Sequence, residues 1–419
     1  FDGTTITGTA TITNTSSGTI QSDSTAIDEA AIAIKDTTGT INISNAGTIT
    51  SKAQGILNKG STIKSLTNTG TLETTGTGTD SISKAGIYNA ARSTVTTLNN
   101  NFGATLKGTG SYTSGIYNLD TITSLSNAGT LQGTGSIESS GIYNLGTITT
   151  ITNSGDLAST GTGTDSISKA GLYNAESATV TTITNSGNID GTGSYTSGIH
   201  NLGTISTIIS SGRLRGEGSA NSSGIYNSGN IGTITNSGYI TSINNYGIYN
   251  SGNIGTITHR NSMNGTISST NSHAILNTGT ITNLENSIFI SSGAGFFNID
   301  NTSGTITNLY NSQGFAGATS DPLTLTGNLP TNYFVTIDST VNYGQLSVTS
   351  GLGNINFGIT EGSVIGVPTT NYTAYNSAAT LNPAASTPYK IEAIGTDITV
   401  IADNDWTVTG PLHNILVED

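Results

Sequence analysis

Apolar residues along this chain come singly or in pairs, each cut off within a few positions by Thr, Ser, Asn or Gly. The stretch GIYNLGTITTITNSGDLAST, from Gly141 to Thr160, is representative. It holds three short β-prone segments: Ile142-Tyr143, Thr147 to Thr152, and a third centred on Leu157. Alternation over a few residues between turn formers marks short strands. No segment keeps a 3.6-residue period, and Asn and Gly at the joints would interrupt a helix.

The unit recurs along the chain. GIYN stands at Gly86, Gly115, Gly141, Gly224 and Gly247, with variants at Gly55 (GILN), Gly171 (GLYN), Gly198 (GIHN) and Gly295 (GFFN). Looser matches open at Ala33 and Ala274, and the anchors follow one another at intervals of roughly 20–30 residues. TGTGTDSISKAG occurs identically at Thr75–Gly86 and Thr160–Gly171, and GTGSYTSGI at Gly108–Ile116 and Gly191–Ile199. A modular stack tolerates such copying, whereas a closed globular core does not. The pattern predicts an all-β chain folded as a right-handed parallel β-helix, with about three short strands per coil and roughly 11–13 coils. Each strand would pair with its counterpart in the next coil, ~4.8 Å away.

Three inward apolar columns follow from this alignment. The first runs Ile87, Ile116, Ile142, Leu172, Ile199, Ile225, Ile248, Ile275 and Phe296. The second contains Val95, Ile122, Ile148, Val180, Ile205, Ile231, Ile254, Ile281 and Ile306, and the third Leu72, Leu131, Leu157, Ile189, Leu214 and Ile240. Asn marks the corners. Asn89, Asn118, Asn144, Asn174, Asn201, Asn227, Asn250, Asn277 and Asn298 form one predicted ladder, and Asn45, Asn68, Asn127, Asn153, Asn185 and Asn236 a second. Asn tolerates left-handed backbone angles, and its amide can bond the next Asn in a stack, so the expected role is structural. All 6 prolines and the only Trp lie beyond residue 315, where the anchors have stopped. Residues 1–315 therefore read as the repeat helix and 316–419 as a β-rich C-terminal cap or assembly domain, since the open end of a solenoid needs covering.

Composition narrows the function classes. Of 419 residues 55 are Gly, none is Cys, and only 9% are charged, while Thr and Ile abound. Disordered tracts combine high charge with few β-branched residues, the reverse of this balance. A net charge of −13 with 12 scattered basic residues argues against nucleic acid as a partner. No apolar run approaches the ~20 residues of a membrane helix. The chain begins at Phe1 rather than Met, which suggests removal of a signal peptide and a secreted location.

Candidate chemistry is sparse. Polysaccharide-cleaving β-helices need clustered carboxylates, but Glu73, Asp156, Asp190 and Glu217 stand apart in sequence, and Asp80 and Asp165 belong to the duplicated loop. His200, His259, His273 and His413 have no acidic or Cys partner nearby in sequence. GTGTDSISKAG lacks the GK[ST] and GxGxxG spacings of phosphate loops. No catalytic residue, metal site or cofactor is expected. Thr pairs such as Thr121/Thr123, Thr147/Thr149 and Thr179/Thr181 raise ice binding, but Asn230/Gly232 and Asn253/Gly255 interrupt the series.

The tyrosines remain. Strand alternation turns Ile142 inward and Tyr143 outward, so Tyr88, Tyr117, Tyr143, Tyr173, Tyr226 and Tyr249 would form an exposed aromatic stripe, with His200, Leu276 and Phe297 filling its gaps. Such a stripe would bind sugars or dock another copy of the chain; alternatively, its rings stack on one another between coils.

Coils of the form GIYNxGTIxxITNSGxI resemble the repeat-rich passenger regions of bacterial autotransporters, the type V secreted surface proteins. The segment YGQLSVTSGLGNINFGI, from Tyr343 to Ile359, is similar to the motif that often closes such passengers before the outer-membrane barrel. The resemblance covers most of the chain and implies a parallel β-helix exported to the bacterial surface, usually serving adhesion, aggregation or biofilm roles; with the scattered acids and histidines, a non-enzymatic protein is expected. Its expected partners are cell-surface glycans or matrix and other copies of the chain. No barrel strands follow Asp419, so a trimmed passenger or a relative lacking the translocator is expected. The second case favours an extracellular filament built by end-to-end stacking, because heterologous contacts that do not close generate open fibres.

Overall fold

The structure is a computed structural model. It describes residue 6 and residues 8–418 apart from 27, 77–83, 136–138, 162–168, 219–220, 261–264, 314–320, 340–341, 353, 360–389, 394–397, 402–404 and 410–413, with side chains described to Val348 except those of 335 and 337–343. Regular structure among the described residues is entirely β. Strands come in triplets, such as Ile142–Asn144, Thr147–Asn153 and Asp156–Thr160, followed by Lys169–Asn174, Thr179–Asn185 and Asn188–Thr192. Each member pairs in parallel with the same member of the next triplet. The result is a β-solenoid of about 11 turns with three parallel sheets.

By contact density the chain forms two compact units, Phe1–Ile231 with Tyr239–Gly247, and Gly232–Gly238 with Ile248–Asp419. In the first unit the registers are those of the sequence columns. Ile116, Ile142, Leu172, Ile199 and Ile225 face one another in successive coils, as do Ile122, Ile148, Val180 and Ile205, and Leu131, Leu157, Ile189, Leu214 and Ile240. All of these are fully buried. Leu106, which the sequence columns omit, joins the third between Leu72 and Leu131.

A fourth inward column escapes the alternation rule. In Thr147–Asn153 both Ile148 and Ile151 are buried, while Thr149 and Thr150 face outward in succession. The strand bends between them, and the ladder skips that position where Ile122 and Ser124 face Ile148 and Thr150. Leu66, Leu98, Leu125, Ile151, Ile183 and Ile208 thereby stack as a separate apolar row.

The recurring Gly of GIYN is required by close approach. A Cβ on Gly141 would lie 2.6 Å from Leu157 Cδ1 and 2.7 Å from the carbonyl oxygen of Gly171 in the next coil. Real Cβ atoms do not come this close, so the position excludes side chains without needing an unusual φ.

Two predicted registers are corrected. At the N-terminal side Ile32, not Ile34, faces Ile56, so Ala31 rather than Ala33 holds the anchor position. In the second unit Ile275 faces Ile299, not Phe296. The segment before Ile299 closes a local turn: Phe296 N donates to Gly293 O at 3.0 Å, Ser292 Oγ donates to Phe296 O at 2.8 Å, and Gly295 adopts φ +82°. That turn leaves Phe296 42% exposed. GFFN thus copies the letters of the repeat three residues ahead of its structural position.

Two strand columns of the second unit continue past residue 315. Ile299–Asn301 pairs in parallel with Leu323–Asn328 and that with Leu346–Leu352, while Thr305–Asn311 pairs with Asn332–Val335 and that with Asn354–Ile359. Pairing turns antiparallel where Asp405–Thr409 and Asn414–Glu418 lie against the last two of these strands. The third column ends at Ile290–Ser291. There the Gln313 side chain stands in for a further coil: its Oε1 accepts Ile290 N–H at 2.9 Å and its Nε2 donates to Ile290 O at 3.1 Å.

Candidate functional site

The tyrosine column lies in the first unit. Ring centroids are 5.1 Å apart for Tyr88–Tyr117 and Tyr117–Tyr143, 4.7 Å for Tyr143–Tyr173, 5.3 Å for Tyr173–His200 and 4.4 Å for His200–Tyr226. The first two pairs are stacked nearly flat and the imidazole meets Tyr173 edge-on. The strand spacing alone brings equivalent rings to this distance. Each ring therefore covers the faces of its neighbours, while Leu119, Ala175, Ala178 and Leu202 pack against the column. Tyr117, Tyr143, Tyr173 and His200 are buried, and Tyr88 and Tyr226 are half-buried. The expected exposed stripe is corrected on this point: alternation gives the direction of a side chain but not what covers it. In the second unit Tyr249, half-buried, faces Leu276, which faces Asp300 rather than Phe297.

Burial sets the protonation of these groups. The Tyr88 hydroxyl is pushed up to about 12, first by burial and then by Tyr117 and Asp28. His200, enclosed between two rings, is pushed down to about 4 by burial, so its imidazole is neutral at pH 7.

The asparagine ladders are continuous hydrogen-bonded chains. Asn58, Asn89, Asn118, Asn144, Asn174, Asn201 and Asn227 each donate Nδ2–H to the Oδ1 of the next, at 2.8–2.9 Å. Asn144 Nδ2 also reaches Gly146 O at 3.1 Å and Thr179 O at 3.3 Å. A primary amide at a buried corner thus ties its own turn, the next strand and the next amide. The second ladder of this unit runs Asn14, Asn45, Asn68, Asn100, Asn127, Asn153 and Asn185, and ends on Ser210 Oγ at 3.2 Å. In the second unit Asn250 donates to Asn277, and Asn277 to Asn301, each at 2.8 Å. Asn298 is therefore not a ladder member; its side chain and backbone bond Thr324 instead, each at 2.8 Å.

Sequence separation hid one charged cluster. Asp190 accepts from Arg213 Nε at 3.0 Å, pairs with Arg215 at 3.4 Å, and Arg215 pairs in turn with Glu217. These residues lie on adjacent coils of the third sheet, so carboxylates that stand alone in the sequence are partnered in space. His273 Nε2 lies 3.7 Å from Asp300, while its Nδ1 accepts Phe297 N–H at 3.0 Å. Among the described residues no three His, Cys, Asp or Glu side chains are grouped to hold a metal ion, and no helix is long and apolar enough to cross a membrane. Asp80, Asp165 and His413 lie outside the described residues.

What remains outward on the middle strands is hydroxyl-rich. Thr147, Thr149 and Thr152 are exposed and Thr150 half-exposed, above Thr121, Thr123, Ser124 and Ser126 and below Thr179, Thr181, Thr182 and Thr184. Comparison with protein-family models, curated proteins and solved structures finds no match.

Proposed function

We propose that the chain is a non-enzymatic, adhesive scaffold of the bacterial cell surface, exported as the passenger regions it resembles are. The observation that carries this reading is the distribution of chemistry-bearing side chains. In the first unit the rings of the tyrosine column cover one another and both Asn ladders are buried at corners, each repeating from coil to coil, while the outward face of strands Thr121–Asn127, Thr147–Asn153 and Thr179–Asn185 is an uncharged run of Thr and Ser. A repeated polar face suits many weak contacts with glycan or matrix, whose avidity grows with their number. An isolated reaction centre would instead require one coil to differ sharply from the rest.

The filament alternative calls for an open parallel edge at the end of the chain, and antiparallel strands occupy that edge in the second unit. The test is display of the whole chain on a non-adherent bacterium, with aggregation and attachment to glycan-coated surfaces measured against an empty display vector. The reading predicts a gain in either property without release of sugar from the coat. No gain in either, or turnover of the glycan, contradicts it.

A further inference from the structure

The second Asn position of the repeat is filled in the second unit by Asn236, His259, Asn286 and Asn311 in successive coils. His259 is thus an imidazole in a place built for a primary amide, with no solvent exposure. Its Nε2 lies 3.2 Å from Phe289 O, which fixes a proton on Nε2. Its Nδ1 then accepts from Asn236 Nδ2 at 3.2 Å, although Asn236 O lies only 3.3 Å away.

This substitution interrupts the ladder. An imidazole whose two nitrogens serve Asn236 and Phe289 has no donor left for the next coil, and Asn286 Oδ1 is buried without a hydrogen bond. At the corresponding step of the other ladder, Asn250 Nδ2 supplies that bond to Asn277. A buried polar atom without a partner calls for a reason.

We propose that His259 is an acid-sensitive break in the ladder, at which protonation loosens the coils that meet there. A proton on Nδ1 turns that nitrogen from acceptor to donor. It must leave Asn236 Nδ2 and turn to Asn236 O, so Asn236 Nδ2 keeps only its bond to Gly238 O at 2.9 Å. The imidazolium would also be a buried cation with no anion at hand. Strand Asn253–His259, its turn to Arg260 and strand Thr280–Asn286 contribute only Arg260 and Glu285 as charged groups. These pair with each other at 3.4 Å, and Glu285 also accepts from Thr258 Oγ1 at 3.0 Å, on the outward face. Residues 232–238, Thr266–Ser269, Phe289–Ser291 and Gln313 contribute none. Burial holds the ring below the ordinary histidine range, in keeping with a neutral resting state. The device is local, and it is independent of what the outward face binds.

The experiment uses the whole chain in a His200→Tyr background, which removes the other buried imidazole of the described residues. Imidazole ¹⁵N spectra should show Nε2 protonated and Nδ1 unprotonated at neutral pH, with a midpoint below that of an exposed histidine. Amide exchange at residues 236–238, 259–260 and 286–289, corrected for intrinsic pH dependence, should quicken on acidification. His259→Asn should abolish that local change by restoring the amide-to-amide bond. A ring titrating at the ordinary value, or an acid response unchanged in His259→Asn, overturns the proposal. If that variant fails to fold, the ring titration and local exchange of the parent chain decide alone.

Discussion

Replacing His200 by Tyr should make the first unit less sensitive to acid. His200 is 9% exposed, with Tyr173 on one side and Tyr226, at 4.4 Å, on the other. Burial depresses its pKa from the ordinary 6.5 to about 4. The unfolded chain therefore binds a proton more readily than the folded one. The stabilisation is fully present above pH 6.5, falls as pH drops below that value, and is lost once pH passes the folded-state value near 4. A gap from 6.5 to about 4, at about 1.36 kcal/mol per pH unit, corresponds to about 3 kcal/mol. Tyr at this position extends the phenol column already present on both sides and does not titrate in this range. Urea unfolding of both chains between pH 7.5 and 4, followed by a probe in the first unit, should show the variant gaining on the parent by up to that amount, nearly all below pH 6.5. Carboxylates contribute equally to both chains, so the difference isolates the imidazole. Parallel loss of stability in the two chains, or an NMR titration of His200 near 6.5, would refute the reasoning.

Tyr143→Ala should destabilise the first unit by about 3 kcal/mol in urea unfolding, as expected for a buried large side chain, while leaving surface attachment per folded molecule unchanged. Asn144→Ala should lower stability by about 2–4 kcal/mol, because Asn118 Nδ2 and Asn174 Oδ1 each lose a buried partner; hydrogen exchange should localise the loss to the adjoining coils. Gly141→Ala should fall within about 1–3 kcal/mol of destabilisation through overpacking against Leu157 and the Gly171 carbonyl, measured as a shift in urea midpoint. Gln313→Glu should open the last strand of the third sheet at neutral pH, since a carboxylate cannot donate to Ile290 O; faster exchange of the Ile290 amide would report it.

How much of this was readable beforehand depends on the kind of contact. The Ile columns and most Asn positions were legible because a strand pointing inward repeats its letter from coil to coil. The row through Ile151 was not, since the bend between Thr149 and Thr150 replaces a spacing of two by three. Asn14 and Asn100 escaped because the letters around them depart from the consensus, whereas Asn58 closes the GILN variant and was readable from it; the amides of all three join the same chains. Asn298 misled for the opposite reason: a turn before it shifts the structural repeat to Asn301. Tyr143 was assigned the correct side of its strand, but its cover comes from the rings of neighbouring coils and from corner residues. The Asp190 cluster joins residues 23 and 25 positions apart, a separation at which only the coil register shows proximity.

Side-chain amide exchange of selectively ¹⁵N-labelled asparagine tests the central claim most directly, that the chain's polar chemistry is built into its interior. The account predicts slow exchange for the amides of Asn89, Asn118, Asn144, Asn174 and Asn201, whose Nδ2 donors face the next Oδ1 at 2.8 Å. Fast exchange of these amides, at the rate of solvent-exposed asparagine, would contradict the ladders and the scaffold built on them.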